Sequence, residues 1–294
     1  MLSPIRTGVA GWDFPGWQGI VYPHPAPRGF HPLEFLARRV DTVEISSSFY
    51  QFVRPELSRL WLTKVERNPQ FEFTARLHRE FTHERNLEPA LLARFKAAMM
   101  PLHEAGRLGC VLMQFPGSFR FTPENKAFLI QLRRNLSKFP LVAELRHDSW
   151  TSQEGMGTLI DYHVGFANLD QPGGHRATRA SSRLTTGIGY VKLHGRRCGA
   201  GFTAFDDRSI QESGNDYLYH PGELADWKLR IERVSGFAEK TFVIFNNDGG
   251  GKSLINALQM EAILGHQQNA AGAGMRQGSS EPDRQPRLAV RSAA

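Results

Sequence analysis

The chain has 294 residues, 40% of them hydrophobic and 22% charged, with a formal net charge of +7 and a pI near 9.6. That balance excludes an unfolded polar chain and favours an anionic partner. Two cysteines exclude a disulfide framework or a thiolate zinc site, and the longest apolar runs fall short of the ~18–20 residues of a membrane span.

In chain order, short apolar runs predict strands at residues 6–11, 41–46, 71–76, 108–115, 141–146, 164–169, 188–194 and 241–246. Amphipathic segments lie between them. Pro55 opens one over residues 55–68, with Leu57, Leu60, Trp61 and Val65 at helical spacing, and Thr122, Pro123 and Glu124 open another with a hydroxyl cap and an acidic first turn. Eight strands alternating with helices predict a single closed (β/α)8 TIM-like barrel over residues 1–265. The stretch 171–186 is a poor helix, so the helix after strand six is expected to be irregular or missing, and 195–221 reads as a long loop. Residues 266–294, rich in Gln, Ala, Gly, Ser and Arg, read as a disordered tail. No apolar leader with a cleavage site begins the sequence, so a cytoplasmic protein without membrane contact is expected.

Alternation along strands sorts the side chains into two faces. Glu44 with Ser46, Arg76 with Thr74 and His78, Glu144 with Arg146, Asn168 with Asp170, and Lys192 with His194 are expected to face the interior. Their apolar neighbours would pack on the helices. Barrel active sites form where strands end, and there the sequence carries Glu44, Arg76, Gln114, Glu144, Arg146, His147, Asp170, Lys192, His194, Asn246, Asn247 and Asp248. Glu44, His147, Asp170 and His194 are the candidates for proton transfer. The segment FNNDGGGKSLINAL predicts a glycine turn into a helix, where the amides of Gly250 and Gly251 with Lys252 would hold a phosphate. Trp12 and Tyr50 are candidate ligand-stacking rings beside the mouth, among a wider aromatic set of Trp17, Phe49, Trp150, Tyr217 and Tyr219. No metal site is assigned. A divalent metal remains an alternative, with Glu44, His83, His147, Asp170, His194 and Asp248 as its candidate ligands.

The motifs GVAGWDFPGW, TVEISSSFY, FTARLHREFTHE, VLMQFP, ELRHDSW, YVKLHGR, YLYHPGELADW and FNNDGGGKSLINAL, in this order from Gly8 to Gly265, resemble the YecE-like family, domain of unknown function 72. The resemblance implies a single β/α barrel and implies no reaction. Ser46 stands where that family usually has asparagine, Arg76 where lysine is common and Lys192 where arginine is common.

The expected function is binding of a phosphate-bearing ligand, a nucleotide or nucleic acid, at the C-terminal mouth, with phosphodiester hydrolysis or related acid/base chemistry. A non-catalytic nucleic-acid or partner-binding module and a carbohydrate isomerase or lyase are the alternatives.

Overall fold

The computed structural model describes residues 3–172, 176–196 and 216–265. Eight parallel strands close into one barrel in sequential order: β1 (Ile5–Ala10), β2 (Thr42–Ile45), β3 (Glu72–Arg76), β4 (Leu108–Gln114), β5 (Leu141–Glu144), β6 (Val164–Asp170), β7 (Ile188–Leu193) and β8 (Lys240–Phe245). Parallel pairing requires crossovers. Among the described residues these run through α1 (Pro32–Ala37), α2 (Pro55–Val65), α3 (Arg79–Thr82), α4 (Pro89–Glu104), α5 (Pro123–Asn135), α6 (Gln153–Asp161) and α7 (Pro221–Ser235), and α8 (Lys252–Gly265) follows β8. Each strand lies within two residues of its expected span. Thr122 caps α5 through a hydrogen bond accepted from the Asn125 amide. Among the described residues no helix is long and apolar enough to cross a membrane. The expected tail, Cys198 and most of the long loop after β7 lie outside the described residues.

Two cores follow from the alternation. Val43, Ile45, Ala75, Val111, Met113, Ala143, Leu145, Val191, Leu193 and Phe245 belong to the large cluster that includes the helix residues. Inside the barrel, Ala10, Cys110, Leu112, Val142, Ala167, Leu169, Tyr190, Phe242 and Ile244 form a second cluster. Four of these stand two residues before Gln114, Glu144, Lys192 and Asn246, so an apolar floor lies beneath a polar rim.

One strand runs against expectation. On β6 it is Ala167 and Leu169 that join the interior cluster, and Leu169 is in register with the inward-facing Lys192. Asn168 and Asp170 therefore face outward, on the side of Val164 and Phe166. The reason is the missing crossover helix, for among the described residues none lies between β6 and β7. Asn168 meets the hydrogen-bonding demand of that irregular backbone instead. Its Nδ2 donates to the carbonyls of Arg183 (2.9 Å) and Tyr190 (3.2 Å), and its Oδ1 accepts from Ser181 Oγ and Arg183 N, both at 2.7 Å.

The β1–β2 contact is closest at Gly8, where a Cβ would lie 1.8 Å from the Thr42 carbonyl oxygen. Gly8→Ala is therefore expected to cost about 1–3 kcal/mol by forcing these strands apart. The measure is the urea midpoint at unchanged slope; coincident midpoints would contradict the close approach.

Candidate functional site

At the C-terminal ends of β2, β3, β5 and β7 the chain has buried opposite charges against one another. Glu44, Glu144 and Lys192 have no exposed surface. Lys192 Nζ lies between the two carboxylates, 3.1 Å from Glu44 Oε2 and 3.0 Å from Glu144 Oε2. Arg76 Nε donates to Glu44 Oε1, and the Tyr190 hydroxyl donates to Glu44 Oε2 at 2.6 Å. Arg146 places Nε and a terminal nitrogen at 3.0 and 2.9 Å from Glu144 Oε1. Removing charges from water is costly, and partners this close are what make it tolerable.

A side-chain chain then sets the histidine. Arg76 donates to Asn246 Oδ1 at 2.8 Å, which turns the Asn246 amide nitrogen toward His194 Nδ1 at 3.0 Å. Nδ1 must accept, so the network assigns the imidazole proton to Nε2. That nitrogen is 3.2 Å from Glu144 Oε1 but outside hydrogen-bond alignment.

Burial raises the Glu44 carboxyl, but Arg76, Lys192 and Tyr190 overcome it and hold the group at about 2. Glu144 is likewise held well below its ordinary value by Lys192, His194 and Arg146 against burial. Burial, opposed by Glu144, pushes His194 down to about 4. Burial and Arg76 lower Lys192, with Glu144 and Glu44 opposing. Near neutral pH the rim thus holds two carboxylates and a neutral imidazole able to donate from Nε2.

Gln114 completes this rim. It is in register with Glu144 across β4 and β5, it is 2% exposed, and among the described residues its Oε1 has no hydrogen-bond partner. An orphaned buried acceptor is rare enough to demand an explanation.

Other residues expected at the mouth have partners outside this lattice. Asp170, on the outer face, accepts from Trp227 Nε1 at 2.7 Å and from Arg196 Nε at 2.9 Å. Its pKa is raised, burial outweighing Arg196. His147 is buried and caps the 3-10 turn Asp148–Thr151 by accepting from the Ser149 amide at 3.2 Å. Asn247 ties α8 to the preceding segment, donating to Tyr217 O (2.7 Å) and Asn256 Oδ1 (2.8 Å).

The start of α8 is also already served. Asp248 accepts from Trp17 Nε1 at 2.6 Å, faces Ser253 Oγ at 3.4 Å and takes a hydrogen bond from the Gly251 amide. The Lys252 ammonium pairs with Asp216 Oδ1 at 2.5 Å. Gly250 and Gly251 do adopt positive φ, +61° and +85°, as a tight turn requires. The expected glycine turn is present, with the Asp248 and Asp216 carboxylates placed beside the residues expected to hold a phosphate.

The aromatics divide as well. Trp17 and Trp150 are buried, Trp150 donating to Phe119 O at 2.8 Å, and buried Tyr219 accepts from the Gly195 amide at 2.8 Å. Tyr50, 52% exposed, rests edge-on against Phe49, and half-buried Trp12 stands against Trp61. The six candidate metal ligands do not converge, for among the described residues no three His, Cys, Asp or Glu side chains form a metal-holding group.

The family model for a protein of unknown function, DUF72, matches residues 6–284. The chain belongs to the DUF72 family. It is 26% identical over 281 residues to the UPF0759 protein YunF of Bacillus subtilis strain 168, covering 88% of this chain and 94% of that protein. Among solved structures it is similar to a DUF72 family protein of Enterococcus faecalis V583, at 25% identity and a TM-score of 0.75, over 89% of this chain and 95% of that one. A DUF72 family protein of Thermotoga maritima MSB8 matches at 27% identity and a TM-score of 0.72, over 89% and 99%.

In this DUF72 barrel the buried lattice thus unites Glu44, Arg76, Glu144, Arg146, Lys192, His194 and Asn246, all singled out from the sequence. Sequence reasoning missed Tyr190, which reads as one more apolar strand residue in IGYVKLH. Its signal was parity, since it stands two residues before Lys192 on the same face.

Proposed function

We propose that the C-terminal mouth binds a small anionic ligand bearing hydrogen-bond donors, a phosphate ester in the form that suits the basic chain, and supports acid/base chemistry on it. The observation that carries this reading is Gln114, a buried rim residue whose amide oxygen has no hydrogen-bond partner among the described residues. A ligand hydroxyl or N–H would satisfy it. Arg76, Arg146 and Lys192 would meet the anionic part. Neutral His194, donating from Nε2, and Lys192 would stabilise or protonate a developing oxyanion.

A second reading, binding without turnover, is favoured by a different observation. Each carboxylate oxygen of Glu44 and Glu144 already faces a protein cation or hydroxyl. A substrate proton would have to compete with these partners for either carboxylate.

The test is a thermal-shift and calorimetric titration with inorganic phosphate and AMP at two salt concentrations, alongside turnover of p-nitrophenyl phosphate and its diester. The expected result is stabilisation that fades with salt and a Kd at least tenfold weaker in Gln114→Leu. Binding without hydrolysis selects the second reading. No phosphate effect, or one untouched by Gln114→Leu, overturns the site.

A further inference from the structure

Beside the mouth lies a separate cavity of about 340 Å³, between the loops that follow β1 and β2. Its volume is within the roughly 300–1,000 Å³ of small-molecule sites. Apolar walls come from Trp12, Phe14, Trp61 and Leu57, and polar groups from Ser46, Ser47, Gln51, Asp13 and His31.

The walls are built firmly. The indole of Trp12 stands perpendicular to that of Trp61, with centroids 5.2 Å apart, and the Tyr22 hydroxyl donates to the Trp12 carbonyl at 2.6 Å. Gly11, at φ +83°, turns the chain into the pocket while its amide donates to the Glu44 carbonyl at 2.9 Å. His31 caps α1, accepting from the Leu33 amide at 3.2 Å, and burial lowers its pKa so that it adds little positive charge.

The chemistry of the lining selects its guest. None of the lining residues is Lys or Arg, and the one acidic side chain among them is Asp13, so the lining offers a phosphate no basic side chain of the Lys or Arg kind. Ser47 and Gln51 can each donate and accept, Ser46, whose hydroxyl donates to the Glu44 carbonyl at 3.4 Å, can still accept, and Asp13 only accepts. Aromatic walls with such groups at the edge suit a flat ring that carries N–H donors and ring-nitrogen or carbonyl acceptors. We infer that this cavity is a binding subsite for an uncharged heteroaromatic ring of the nucleobase class. The inference does not rest on the anion reading of the mouth. Because Ser46 follows Glu44 by two residues, the two sites share one strand end.

Adenosine, which carries no phosphate, is the probe. Titrating the full chain while following tryptophan fluorescence and ligand-observed NMR saturation transfer should give saturable binding. Trp12→Ala should weaken it at least tenfold and Gln51→Ala, at an exposed position, at least threefold. Phe237→Ala, remote and 83% exposed, should titrate as wild type. Circular dichroism verifies folding of each variant, and Gln51→Ala decides if Trp12→Ala does not fold. No saturable binding at millimolar adenosine overturns the subsite, as does equal affinity in Gln51→Ala. Saturable binding of methyl glucoside with none of adenosine overturns the ring class. Phosphate binding at the mouth, present or absent, alters none of these outcomes.

Discussion

Replacing Lys192 by methionine is expected to destabilise the barrel by about 3–5 kcal/mol, the cost of removing one partner from a buried ionic group. The ammonium lies between Glu44 and Glu144, all three without exposed surface. Methionine fills comparable space, so the loss measures charge and not a cavity. At about 2–4 °C per kcal/mol for a domain of this size, the melting temperature should fall by roughly 10 °C. Adding Glu144→Gln to Lys192→Met should restore part of the loss, since it removes one of the two carboxylates that have each lost a cation. A double-mutant cycle that comes out additive would show that the two residues do not interact.

Acid is expected to unfold the protein along two limbs, and the sign follows from the pKa directions. Glu44, held at about 2, and Glu144, held well below its ordinary range, are depressed in the folded state. Their stabilisation is full above the unfolded value near 4.5 and disappears as pH falls toward the folded values. For Glu44 alone this is on the order of 3 kcal/mol. His194, lowered from 6.5 to about 4, adds an earlier limb. Stability falls between these two values because the unfolded chain takes up a proton that the buried imidazole refuses. This limb too is on the order of 3 kcal/mol. Asp170 and Asp248, raised by burial above 3.8, gain stability as pH falls toward that value and so oppose the His194 limb. Chemical denaturation from pH 7 to pH 3 should show that His194→Asn removes most of the upper limb. The more modest limb from His31, His78 and His147, also lowered by burial, remains. A His194→Asn profile superimposable on wild type would mean that His194 is not buried in neutral form.

The barrel and its charged rim were legible because the strands are short apolar runs, and β2, β3, β5 and β7 carry an ionisable residue at or next to their ends. Parity then placed Glu44, Arg76, Glu144 and Lys192 on one face. Parity failed on β6, where both faces are buried and Ala167 and Leu169 suit either side. What decided the face was a hydrogen-bonding demand from the segment that replaces a helix, and that demand is invisible until Arg183 and Ser181 are in place. The glycine turn before α8 carries a neighbour that composition does not show, for DGGGKS reads as an anion cradle and the aspartate that opens it lies beside Ser253 at the helix start. His147 was a candidate base by type and became a cap by position.

The single lysine strap at the centre has a mechanical corollary. Staves two, five and seven are cinched across the bore by one ammonium, so the aperture holds a fixed diameter. Widening the cylinder at this level would mean breaking that tie.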